Sequence, residues 1–166
     1  MAKIVWTPDL DTEIEPIDQQ HRQLVELINQ LDDAQQGGDR AAIGKVIEGL
    51  IEYTVSHFAF EEALMEDAGY QFVRPHKKVH EIFVRRAKEL QDRFLAGENV
   101  AGELQTMLGL WLLNHIRRDD ASYVSAVKGA MVRLIEEKEE GGWLSRSLPP
   151  LPCSCGGTIF RFSLRW

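Results

Sequence analysis

The chain has 166 residues, a formal net charge of −7 and 44% hydrophobic residues. That is one domain with a real core, too short for two full ones. The acidic balance excludes a protein that holds a phosphate backbone by bulk charge, so no nucleic-acid partner is expected. No apolar run approaches the roughly 20 residues of a membrane span. The N-terminus lacks a signal-peptide apolar stretch, which predicts a cytoplasmic protein. Cys153 and Cys155 are crowded into the tail and cannot staple a fold.

Residues 1–17 carry two prolines and no sustained periodicity, and read as an extended arm. A helical pattern starts at Asp18, a plausible N-cap, with Leu24, Leu27, Ile28 and Leu31 at steps of three and four. Gly37-Gly38 stops it. A second helix spans about Asp39 to Asp67, with Ile43, Ile47, Leu50, Thr54, His57, Glu61 and Leu64 along one stripe. A third spans about Arg74 to Leu95, with Pro75 in its first turn and Val73, His76, His80, Phe83, Ala87, Leu90 and Phe94 in line. A fourth spans about Val100 to Arg118 through Leu104, Leu108, Trp111 and His115. A weaker helix follows through Val124, Val127, Met131 and Leu134. Four amphipathic helices with short connections predict an all-α, up-and-down four-helix bundle over residues 1–140, with an N-terminal arm and a short extra C-terminal helix. Residues 141–166 form an irregular Gly/Pro/Cys-containing tail. Its last run, with Phe160, Phe162, Leu164 and Trp166, alternates with period two. The plain reading is an added extension. The alternative is a face buried against the bundle or a partner.

The chain has five histidines, and His21, His57, His76, His80 and His115 all fall on inward stripes. Glu61 shares the stripe of His57, one turn along. A lone inward histidine is more often a hydrogen-bonded core residue than a ligand. Five from four helices, with an inward glutamate, would bury too many unsatisfied nitrogens. A metal centre satisfies them together, since neutral imidazole is the commonest ligand. The set is too large for one tetrahedral zinc. His76 and His80 lack the intervening glutamate of a His-Glu-x-x-His helix. Glu-x-x-His, the signature of carboxylate-rich di-iron bundles, is absent. Two metals are the natural answer. With two bridging carboxylates and an oxygen bridge, two six-coordinate ions would keep about one open position. The second carboxylate must come from near His115. On an ideal helix Asp119, four residues on, faces with His115, and Asp120 is rotated away unless the helix distorts.

These residues resemble the hemerythrin family, bacterial hemerythrins (bacteriohemerythrins) in particular, over roughly residues 4–125. The resemblance rests on Val5-Trp6, Ile17-Asp18-Gln19-Gln20-His21 and His57-Phe58-x-x-Glu61-Glu62-x-Leu64-Met65. It continues through Gly69-Tyr70, His76-x-x-x-His80 and Trp111-Leu112-x-x-His115-Ile116-x-x-x-Asp120-x-x-Tyr123. It implies two iron ions joined by an oxo or hydroxo bridge. His76, His80 and His115 would hold one iron, His21 and His57 the other, and Glu61 and Asp120 would bridge them. The family pattern thus selects Asp120 over Asp119. It implies reversible binding of dioxygen, as hydroperoxide, at the open iron, for carriage, storage or delivery. Phe58, Trp111, Leu112 and Ile116 would line a dry pocket, although each singly reads equally well as core. Gln20, Glu62 and Tyr123 are candidate outer partners of the ligands, with Glu62 reading better as a solvated surface charge. The chain is expected to be a monomer and not an enzyme. The competing functions are an oxygen or redox sensing module and a di-iron oxidase or peroxidase.

Overall fold

A computed structural model of the chain describes residues 3–133. Four long helices dominate it: α1 (Glu15–Gly37), α2 (Arg40–Asp67), α3 (Val73–Leu95) and α4 (Ala101–Arg118). A 3-10 turn at Pro8–Leu10 precedes them and another at Asp120–Ser122 follows α4. Residues 124–133 are helical again (α5). Consecutive helices pack on one another and α4 closes back on α1, so the architecture is the expected up-and-down bundle. No helix among the described residues is long and apolar enough to cross a membrane. The readings made for the tail, including Cys153, Cys155 and the run Phe160 to Trp166, lie outside the described residues.

The start of α1 differs from the sequence reading. The helix begins at Glu15, with Pro16 in its first turn, so Asp18 is inside it and not its cap. Asp18 is buried and holds the incoming chain instead. Its carboxylate accepts from Thr12 N at 2.8 Å, Thr12 Oγ1 at 2.8 Å and Glu13 N at 3.0 Å. These bonds hold Glu13 in the left-handed region, at φ 60°. Asp18→Ala leaves two main-chain donors without partners and is expected to lower unfolding free energy by about 3 kcal/mol. A urea titration measures the loss.

The arm before it is docked, not merely extended. Ile4 N donates to Asn29 Oδ1 at 2.8 Å, and Asn29 Nδ2 donates back to Ile4 O at 2.9 Å. Leu10 is buried with the bundle core. The other end of α1 stops at a left-handed Gly38, φ 71°, whose N–H bonds to Gln35 O. A Cβ there meets nothing within 4 Å, so only the backbone resists it. Gly38→Ala is expected to cost about 1 kcal/mol in the same titration.

The stripes read from the sequence face one another. Leu24, Ile28, Leu31, Ile47, Leu50, Phe83, Leu90, Leu104 and Leu108 form the larger apolar cluster. A smaller one gathers Ile14, Ile17, Met65, Tyr123 and Val127. Antiparallel packing brings the start of α1 and α3 beside the end of α2 and α4. All five histidines sit at that level, with apolar clusters on both sides.

Candidate metal centre

The helices fix the polar groups by register. His57 and Glu61 are one turn apart on α2, His76 and His80 one turn apart on α3, and His21 and His115 enter from α1 and α4. All five imidazoles and both carboxylates, Glu61 and Asp120, are buried. Two groups of convergent donor atoms result: Glu61 with His76, His80 and His115, and Glu61 with His21 and His57. Asp120 joins the two. Its Oδ1 lies 3.0 Å from His115 Nε2, and its Oδ2 lies 3.4 Å from His21 Nε2.

The 3-10 turn at Asp120–Ser122 is the distortion that makes this possible. Asp119 closes α4 with its N–H on His115 O. The tighter winding that follows brings Asp120 inward, fully buried. The two aspartates then meet opposite edges of one ring. His115 Nδ1 donates to Asp119 Oδ2 at 2.9 Å, on the outside.

Two other rings have outer partners. His57 Nδ1 donates to Gln20 Oε1 and His80 Nδ1 to Glu62 Oε1, both at 2.9 Å. An acceptor on the outer edge places the proton at Nδ1 and leaves the Nε2 lone pair facing inward. Glu62 is therefore not the solvated surface charge expected from sequence. Its side chain is only 20% exposed, and Lys77 Nζ lies 3.4 Å from its other oxygen. Asp119 is a contact that sequence reasoning weighed only for the inner edge. Tyr123 bonds Glu61 Oε1 through its hydroxyl, not an imidazole.

The electrostatics favour a cation. Burial holds His57 down at about 4, despite nearby Glu61 and Asp120, so the ring is neutral at pH 7. Burial also opposes charge on His115, but the close approach of Asp120 and the charge of Glu61 outweigh it and raise its pKa. Burial would raise Glu61, yet His76 and His80 hold it well below the usual carboxylate range. Burial and Glu61 push Asp120 upward, and His115 and His21 bring it lower than usual all the same. Tyr123 is pushed far up by burial and by the Glu61 and Asp120 charges, so it stays a neutral donor. Two ionised carboxylates at 0% exposure are costly without a counter-charge.

His76, His80 and His115 approach one another through their Nε2 atoms at 2.9 to 3.1 Å, but other inward atoms find no partner. Both oxygens of Asp120, Glu61 Oε2, His57 Nε2 and both nitrogens of His21 are buried with no hydrogen-bond partner. A metal pair would take up these lone pairs, and the imidazole-rich donor set suits a first-row transition metal.

A model of the hemerythrin family, described as a hemerythrin HHE cation binding domain, matches residues 12–127. The chain belongs to the hemerythrin family. A bacteriohemerythrin of Pseudomonas aeruginosa (strain LESB58) is 61% identical over 148 residues, 89% of this chain and 97% of that one. A bacteriohemerythrin of Methylococcus capsulatus is 36% identical over 125 residues, 74% of this chain and 95% of the relative. The crystal structure of a wild-type hemerythrin, 34% identical, superposes with a TM-score of 0.72 over 76% of this chain and 98% of that one. The hemerythrin match thus spans all four helices and both donor groups.

Aromatic rings wall the hemerythrin-type centre. Phe58 stacks on His80 with centroids 3.7 Å apart, and Trp111 stacks on His115 at 4.1 Å. Phe58, Trp111 and Leu112, with Leu24, Ile28 and Thr54, line a cavity of about 10 Å³ beside them. Ile116 is buried but does not line it; it borders a groove toward Leu10 and Thr12.

Proposed function

We propose that this chain binds dioxygen reversibly at a pair of iron ions held by His21, His57, Glu61, His76, His80, His115 and Asp120. The observation that carries the reading is the two convergent donor groups sharing Glu61, with Glu61 Oε2, His57 Nε2 and both nitrogens of His21 left unpartnered. His76, His80 and His115 would hold one ion and His21 and His57 the other. Glu61 belongs to both groups, and Asp120 has one oxygen near each half, so these two carboxylates would bridge the pair. When bound, two ferrous ions supply the electrons and the exchangeable position that dioxygen binding requires.

The protein's own part is placement and exclusion. The half with two imidazoles offers one donor fewer, which gives a small ligand its place. Neutral imidazoles keep the protein's charge at the centre to two carboxylates. Phe58, Trp111 and Leu112 leave a cavity at the lower limit for one water-sized molecule, with few polar groups to hold one. Water and protons are thereby kept from the ligand, which favours release as dioxygen. Tyr123 holds the Glu61 carboxylate from behind through its hydroxyl.

Metal analysis with visible spectroscopy tests the proposal. Two irons per chain, and a charge-transfer band that appears in air and vanishes under vacuum, are expected. A colourless chain with one zinc overturns it. Irreversible oxidation with steady consumption of a reductant would assign an oxidase instead.

A further inference from the structure

The outer edges of the imidazoles are not equivalent, and the difference follows the division between the two donor groups. In the three-imidazole group, His80 donates to the carboxylate of Glu62 and His115 to that of Asp119. In the two-imidazole group, His57 donates to the neutral amide of Gln20, and His21 Nδ1 is buried without a partner. Both outer acceptors are anchored, Glu62 through its side chain and Asp119 through its main chain. Lys77 holds the second oxygen of Glu62 at 3.4 Å. Ser122 N and Oγ both donate to the main-chain carbonyl of Asp119.

A ring N–H that donates to a carboxylate makes the opposite nitrogen a stronger electron donor, and a neutral amide does so less. A stronger donor set favours the ion of higher charge. We propose that Glu62 and Asp119 act as positioning residues that make the three-imidazole half the more easily oxidised, resting on the di-iron reading above. The first electron removed from the diferrous protein then comes from that half. The ion beside the exchangeable position stays ferrous. In this step one Fe(II) gives one electron to ferricyanide, forming Fe(III) and ferrocyanide, with no bond made or broken.

The test is a spectroelectrochemical titration of the full-length, iron-loaded chain, with ferricyanide as the chemical oxidant. Iron content is measured first; a wild type without an iron pair defeats the functional reading, before any potential is read. Glu62→Gln and Asp119→Asn keep a hydrogen-bond acceptor and remove its charge. Each is expected to raise the potential of the first couple by about tenfold in equilibrium constant, about 59 mV for one electron. Gln20→Glu adds the charge on the other half and is expected to lower the second couple and narrow the gap. An unmoved first couple in both loaded variants overturns the proposal. Should those variants lose iron, an unchanged gap in Gln20→Glu overturns it alone.

Discussion

Asp120→Ala is expected to abolish loading of the metal pair, whereas Asp119→Ala keeps it. The two residues are adjacent in sequence and both contact His115, so the pair of variants isolates geometry from composition. Asp120 is fully buried, has both oxygens unpartnered, and reaches an imidazole of each donor group. In the proposed site its removal would take a shared ligand from both ions. Asp119 is 44% exposed on its side chain and touches only the outer nitrogen of His115. Its loss leaves every inward donor in place and frees one ring to tilt. An affinity loss of about 10- to 100-fold is expected for such an outer partner. Iron per chain after gel filtration, followed by competition with a chelator, separates the two results. Full loading of Asp120→Ala, or equal loss in both, would remove Asp120 from the bridging role.

The same two aspartates show what the sequence could and could not carry. Helical periodicity placed Asp119 on the His115 face, and the two do touch. Periodicity cannot say which edge of the ring is met. Nor can it foresee that the chain tightens to a 3-10 turn at Asp120–Ser122 and brings the next carboxylate inward. The family pattern supplied that choice. The helix spans and the inward stripes were legible because one apolar face per helix, punctuated by Gly37-Gly38 and Gly97, has few other ways to fold. The start of α1 was not. Asp18 carries the composition of a cap but sits inside the helix, bonded to residues before it. Glu62 was misread for a related reason. A charged residue beside an inward one points outward on a helical wheel, yet a long side chain near a buried ring can reach its outer nitrogen.

Chelating the metal is expected to lower stability by about 4 kcal/mol, the linkage value for a ligand at about a thousand times its Kd. For a domain of this size that is a fall in Tm of roughly 15 °C. The origin is local. The bundle buries Glu61 and Asp120 at 0% exposure among five imidazoles, because the α2 stripe carries the first there and the 3-10 turn after α4 the second. Without a cation, those groups must take up protons or water, or the helix ends around them must open. Hydrogen exchange distinguishes this from general loosening. Amides near His21, Glu61, His76 and His115 are expected to lose protection in the chelated chain. Amides near Leu31, Leu50, Leu90 and Leu104 belong to the larger apolar cluster and keep it. A uniform change along the helices, or equal Tm with and without metal, would show that the centre contributes nothing to the fold. The apolar cluster is thus expected to hold one end of the bundle by itself, while the polar end depends on its ligand. That division lets a hemerythrin-type bundle keep a buried, imidazole-rich level without losing its architecture.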